Sequence, residues 1–229
     1  MVIEDKKLNI SHDSYIGKRE HNLDEYLIIQ RDNKYFFIMI DGFCSTHTIS
    51  IEVVKLIKKI RMYLQLIFDS DKVSELNDFL YYINNKKKLY VNKLNNYSLK
   101  LSVLIGCIQD NIFSVSHIGD CRLYINDQLY TQDDSKAWKK ITKIFQKSNN
   151  EFIGSHCINH AQQHFLLKSI PNYLDKMPLI SRFKIKKGDR IIICTDGFWT
   201  KHHNNIISNC LNTADAEYLD NSTFIQIIV

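Results

Sequence analysis

The chain has 229 residues, 45% hydrophobic and 24% charged, with a formal net charge of +5. It is long enough to bury a substantial core, its composition excludes disorder as the main state, and no apolar run approaches the roughly 18 residues needed to cross a bilayer. The positive charge is spread along the chain apart from a run at Lys86–Lys88, which a solvated helix face or loop explains as well as a nucleic-acid surface does.

The N-terminus, MVIEDKKLNI, lacks the basic-then-apolar order of a signal peptide, so an intracellular, cytoplasmic protein is expected. Strands are predicted over Ile3–His12, Glu25–Arg31 and Lys34–Ile40, the last two joined at Asp32-Asn33. From Thr48 the apolar spacing changes to three and four residues through Ile67, the mark of an amphipathic helix, and a second helix is predicted over Lys72–Tyr90. Leu99–Gln109, Ile112–Gly119 and Arg122–Asn126 form a predicted strand meander. Helices are then predicted over Asp134–Gln146 and Ala161–Ser169, strands over Arg182–Lys186 and Arg190–Thr195, a helix over Asn204–Leu211 and a last strand over Thr223–Val229. Strands grouped between helical pairs predict an α+β fold with antiparallel sheets, in one domain over residues 1–229.

The six cysteines form no CxxC pair and are expected to be free thiols. Three aspartates stand at the ends of apolar strands: Asp41 before Gly42, Asp196 before Gly197, and Asp220 before Asn221. A carboxylate at a strand end can hold a hard cation, which prefers oxygen ligands. A lone Asp-Gly more often makes a turn. Two of them closing long strands, with Asp120 and Asp220 in similar places, favour a site.

The segments GKREHNLDEYL (Gly17–Leu27), IDGF (Ile40–Phe43), SVSHIGDCRLYI (Ser114–Ile125), KKGDRIIICTDGFWT (Lys186–Thr200) and DNSTFIQI (Asp220–Ile227) resemble, in order, the motifs of the PP2C (PPM) family of metal-dependent serine/threonine protein phosphatases. LYTQDDSKAWKKI (Leu129–Ile141) and FLLKSIP (Phe165–Pro171) resemble intervening segments, so the likeness covers nearly the whole chain and is closest to compact bacterial-type members. It implies a central β-sandwich of two antiparallel sheets flanked by pairs of α-helices, with a binuclear Mn²⁺/Mg²⁺ centre at one edge. By resemblance, Asp41 bridges both metals, the Gly42 carbonyl binds the second, Asp196 and Asp220 bind the first, and Asp120 belongs to a third, weaker site. Arg19 matches the arginine that grips the substrate phosphate, and Asp24 matches a carboxylate that hydrogen-bonds metal-held water. The implied reaction is in-line attack on phosphoserine or phosphothreonine by a hydroxide shared by the two ions.

Two positions depart from the eukaryotic pattern. Leu23 stands for a glutamate beside Asp24, and Phe43 stands for a histidine proposed as a general acid. His47 is close enough to substitute, but an exposed helix-start histidine is the preferred reading. Cys44-Ser45 replaces two glycines, and a small buried filler is preferred over a redox-sensitive role for Cys44. For His202-His203 a solvated helix start is preferred over transition-metal binding, and the other histidines, His164 among them, form no trusted ligand spacing. Trp138 and Trp199 are expected in the core. Five of the seven glycines fall in the motif segments.

The resemblance implies phosphorylated protein substrates and a cognate Ser/Thr kinase for a monomer with no nucleic-acid or membrane partner. The alternative is a catalytically dead scaffold that binds phosphoproteins or a kinase, to which only Leu23 and Cys44-Ser45 point. A basic nucleic-acid-binding module is the least supported.

Overall fold

A computed structural model describes residues 8–44, 51–69, 76–91, 99–170, 178–213 and 217–229, the side chains of 52, 68, 69 and 86–91 aside. The predicted strand residues 3–7, the first residues of the two predicted long helices, and the Ser45 and His47 positions lie outside the described residues.

Among the described residues, ten strands form two antiparallel sheets. One sheet has the order β2 (Asp24–Arg31), β3 (Lys34–Phe43), β4 (Lys100–Gln109), β5 (Ile112–Ile118), β8 (Ser181–Lys184). The other has the order β1 (Asn9–Tyr15), β10 (Ser222–Ile228), β9 (Arg190–Cys194), β6 (Arg122–Ile125), β7 (Gln128–Leu129). The sheets pack face to face. Phe37, Met39 and Leu104 of one meet Leu123, Ile191, Ile193, Ile225 and Ile227 of the other. The alternate residues of the same strands point outward but are also buried: Ile38, Ile40, Val103 and Ile105 lie under α1 (Ile51–Asp69) and α2 (Leu76–Val91). Ile192 and Cys194 lie under α3 (Lys136–Ile144), α4 (Asn150–Cys157) and α5 (Asp196–Ile207). Helices on both outer faces explain why KYFFIMI and RIIIC are continuous apolar runs rather than alternating ones. The expected α+β sandwich is present, with three helices rather than a pair over one sheet.

Hairpins are set by residues that tolerate positive φ. Asp110 and Asn111 adopt φ 50° and 62° between β4 and β5, and Asn126 and Asp127 adopt φ 47° and 70° between β6 and β7. All six cysteines are free thiols. Burial pushes the Cys107 thiol up to about 11 and the Cys157 thiol up to about 12, so both stay protonated. Cys44 is half-buried and packs against the apolar cluster beneath α1 and α2, as a filler would.

Two predicted helices change, and one helix, α4, lies where none is predicted. Ala161–Ser169 is not helical: Phe165 and Leu167 exchange backbone hydrogen bonds with Lys136 and Asp134, so the segment is a strap across the start of α3. The helix in this region is α4, capped by the Asn149 side chain, which accepts from the Phe152 N–H. The last helix begins at Asp196 rather than Asn204, so the second Asp-Gly opens a helix instead of closing a turn. His202 and His203 are correspondingly buried inside α5 (2% and 0% exposed) and are not a solvated helix start.

The layer of α3, α4 and α5 is built around a buried cation. Arg122 is fully buried, pairs with both carboxylate oxygens of Asp133 (3.0 and 2.8 Å), and has its guanidinium 3.6 Å from the Trp199 ring centroid. Trp138 and Trp199 are both in this core, as expected. His203 completes the network. Its Nδ1 lies 3.2 Å from an Arg122 nitrogen that can only donate, and its Nε2 lies 3.1 Å from the Glu151 carbonyl that can only accept. The imidazole is therefore neutral, with its proton on Nε2. Burial first, and Arg122 second, lower its pKa to about 4 from the ordinary 6.5.

Two predictions follow from this network. Asp133→Ala leaves Arg122 buried without its counter-charge and is expected to lower the unfolding free energy by about 3–5 kcal/mol, read by urea denaturation. Between about pH 6.5 and 4 the unfolded chain protonates His203 and the folded chain does not. The stabilisation is therefore complete above about pH 6.5 and is lost as pH falls through about 4. His203→Gln should flatten that part of a melting-temperature profile taken against pH.

Candidate active site

The two sheets meet at one end over a cavity of about 410 Å³. Every residue singled out from the sequence lines it: Arg19, Asp24, Asp41, Gly42, Asp120, Asp196 and Asp220. Asp24 opens β2 and lies opposite Asp41 near the end of β3, which in turn lies opposite Ser102 of β4. The Ser102 hydroxyl accepts from the backbone N–H groups of Asp120 (2.8 Å) and Cys121 (3.0 Å), and the Trp199 indole donates to the Asp120 carbonyl (2.9 Å). These bonds fix the β5–β6 turn that carries Asp120.

The opposite sheet supplies Asp196 and Asp220. Thr195, at the N-cap of α5, donates its hydroxyl to Asp24 (2.8 Å) and accepts from the Thr223 N–H (3.0 Å), tying the two sheets together beside the carboxylates. Asn221 is the second tie. Its carbonyl oxygen accepts from the Leu23 N–H (2.8 Å), and its amide donates to the Ile16 and His21 carbonyls (2.9 Å each). The loop bearing Arg19 is thereby fastened to the strand that follows Asp220. Close approach here requires glycine. Gly17 has φ +62° with the Asp220 carbonyl 2.3 Å from where a Cβ would stand, and a Cβ on Gly197 would lie 1.9 Å from the Asn221 carbonyl.

Asp24, Asp41 and Asp120 are buried, at 4%, 8% and 5% exposure. Burial first, then repulsion from Asp196 and the other aspartates, pushes the Asp41 carboxyl well above the usual range. Burial pushes Asp120 up likewise, with Asp196 the next cause. Asp24 is pushed up to about 8 by burial, partly offset by its bond from Thr195. The more accessible carboxylates face cations. Arg19 donates to both oxygens of Asp220 (2.8 and 2.5 Å), and His164 stands 3.5 Å from Asp196, which raises the pKa of the imidazole. With the side chains so turned, no three His, Cys, Asp or Glu among the described residues form a group that encloses an ion.

Sequence reasoning did not pick out His164, Lys100, Phe165 or Leu166, which also line the cavity. Among the described residues, His164 is its only imidazole. Phe165 and Leu166 open the FLLKSIP segment, to which the resemblance attaches no site role, and His164, just before it, carries no local signal. Asn221 was legible only as the neighbour of Asp220, and Ser102 lies in no motif segment and reaches Asp120 only through the pairing of β4 with β5. Phe43 and Leu23 line the wall as apolar residues.

No protein-family model matches the chain, and no curated protein sequence does. Solved structures do match. The Mycobacterium tuberculosis serine/threonine phosphatase PstP/Ppp is 16% identical with a TM-score of 0.72, over 97% of this chain and 98% of that one. A PstP catalytic domain in complex with two manganese ions is 14% identical with a TM-score of 0.67, over 96% and 97%. The PPM Ser-Thr phosphatase MsPP from Mycobacterium smegmatis, in complex with cacodylate, is 18% identical with a TM-score of 0.65, over 96% and 98%.

The chain has the PP2C fold. Near-complete coverage in both directions means that the strands and helices correspond without a large insertion or truncation on either side. In this PP2C fold the aspartate cavity depends on Ser102. Ser102→Ala removes the partner of two buried N–H groups and is expected to cost about 1–3 kcal/mol. The same change should speed hydrogen exchange at the Asp120 and Cys121 amides, because the turn carrying Asp120 loses its anchor.

Proposed function

We propose that this chain is a phosphatase, dependent on Mn²⁺ or Mg²⁺, that hydrolyses phosphoserine and phosphothreonine in proteins. It would act as a single-domain monomer in the cytoplasm, opposing a Ser/Thr kinase. The observation that carries this reading is the convergence of five aspartates and Arg19 on one cavity. That the fold is shared with serine/threonine phosphatases supports it further. No helix among the described residues is long and apolar enough to cross a membrane.

The residues fit divalent cations by their chemistry. The donors are carboxylate and carbonyl oxygens, which suit hard ions, and three of the carboxylates are buried with their charge opposed by one another. Asp41, Gly42, Asp196 and Asp220 would hold two ions, with Asp120 contributing to a third. Bound there, the ions would supply the missing positive charge and lower the pKa of water next to the phosphate.

The remaining work belongs to the chain. Arg19 presents a planar fork that chelates Asp220 through two donors and suits two phosphate oxygens equally well. Asp220, turned to a cation, would leave that fork for the substrate. Asp24, held by the Thr195 hydroxyl, would orient water within the cavity. Leu23 and Phe43 bring neither charge nor proton, and they exclude solvent from one wall.

The test uses the full chain with p-nitrophenyl phosphate and a phosphothreonine peptide, in Mn²⁺ or in EDTA. Hydrolysis is expected only with Mn²⁺. Asp41→Ala and Asp196→Ala are each expected to reduce kcat by about 100-fold or more, on the order of 3 kcal/mol of barrier, and to weaken Mn²⁺ binding by calorimetry. Absence of Mn²⁺-dependent hydrolysis, or activity unchanged by both substitutions, would sink the reading. Phosphopeptide binding without turnover would favour the scaffold instead.

A further inference from the structure

The outer face of α3 carries Lys136, Lys139, Lys140 and Lys143, all exposed. At 100° per residue they fall within an arc of about 100°, while Ala137, Trp138 and Ile141 fill the opposite, buried face. Lys147 continues the exposed lysines just past the helix. Among the described residues no carboxylate pairs with any of the five. The nearest acid in sequence, Asp134, is already held by Lys168 (2.7 Å) and the Gly119 N–H.

This arrangement does not help the helix. Like charges three and four residues apart repel, and Lys136 sits in the first turn, where the helix dipole disfavours a cation. Only Lys143, in the last turn, suits the dipole, so the helix supplies no reason for the stripe as a whole. Its position supplies one. The Lys136 ammonium lies 5.1 Å from the Phe165 ring centroid, and Phe165 lines the aspartate cavity. The stripe starts at the rim of the cavity and runs outward to exposed Ile144 and Phe145.

We propose that the lysine face of α3 is a docking surface for an acidic segment of the phosphoprotein substrate, adjacent in its chain to the phosphorylated residue. This rests on the phosphatase reading and names the class of substrate that the same cavity takes. Lys136 to Lys143 spans roughly 10 Å of helix, which about three or four extended residues cover. A run of Asp or Glu beginning a few residues from the phosphoresidue matches the stripe in charge and reach. An anionic bilayer is a poorer match: the apolar face of α3 is spent on the core, so the helix has no such face to insert.

The experiment compares phosphothreonine peptides flanked on either side by five Glu or by five neutral residues, with p-nitrophenyl phosphate as a substrate too small to reach α3. The variant is K139Q/K140Q/K143Q, which leaves Lys136 and the cavity wall intact, and K139R/K140R/K143R is the charge-preserving control. An acidic flank should raise kcat/KM about five- to ten-fold at low salt, as expected for a few exposed ion pairs. The advantage should fade with added salt, vanish in the Gln variant and return in the Arg variant, while p-nitrophenyl phosphate turnover stays unchanged in both and the melting temperature of the Gln variant does not fall. Fluorescence anisotropy of a labelled, unphosphorylated acidic peptide reads the docking without catalysis. If no phosphatase activity is found, binding that the Gln variant loses still upholds the surface, while its absence overturns it. Equal turnover of acidic and neutral peptides by the wild type also overturns it. So does a stripe needed only for binding phosphatidylserine vesicles or duplex DNA.

Discussion

Three carboxylates buried side by side at the end of a β-sandwich are the constraint on which the rest of this structure turns. Burial raises the pKa of Asp24, Asp41 and Asp120, and repulsion from Asp196 raises each of them further. Left alone, such a group would spread apart or take up protons. The surrounding bonds prevent the first. Thr195 and Asn221 stitch the two sheets together within a residue or two of the aspartates, and Ser102 and Trp199 clamp the turn beneath Asp120. The site is held in a geometry that an added cation would stabilise.

The same chain solves a second burial problem in the opposite way. One strand turn on from Asp120, Arg122 is enclosed completely, but Asp133 chelates it, Trp199 stacks on it and His203 turns a lone pair towards it. That charge is balanced from within, so it contributes to the packing of α3, α4 and α5. Trp199 belongs to both systems, because its ring covers the guanidinium while its N–H holds the Asp120 carbonyl. The outer helical layer and the carboxylate cavity are therefore mechanically joined. On the outward side of that layer, α3 presents lysines that neither system uses.

Where the sequence reading failed, a specific signal misled it. α5 was placed too late because His202 and His203 were counted as polar. Counted as buried, they complete the spacing Phe198, Trp199, His202, His203, Ile206, which starts the helix at Asp196. α4 was overlooked although Asn149 followed by Asn150-Glu151 is a serviceable helix start. The helix expected over Ala161–Ser169 is a strap, held by backbone bonds to the start of α3 that no local pattern encodes.

The strand-end aspartates and an α+β fold with antiparallel sheets were legible in the residues themselves, while Arg19, Asp24, the Gly42 carbonyl and the two-sheet sandwich were legible only through the family resemblance. Continuous apolar strands demand cover on both faces, and carboxylates at strand ends can share a site where those ends align. What only the tertiary structure decided is what each of these residues is bound to. Arg19 chelates Asp220, His164 meets Asp196, and Asn221 fastens the Arg19 loop. These are contacts between residues 32 to 205 positions apart, and sequence spacing does not determine which side chains meet across such distances.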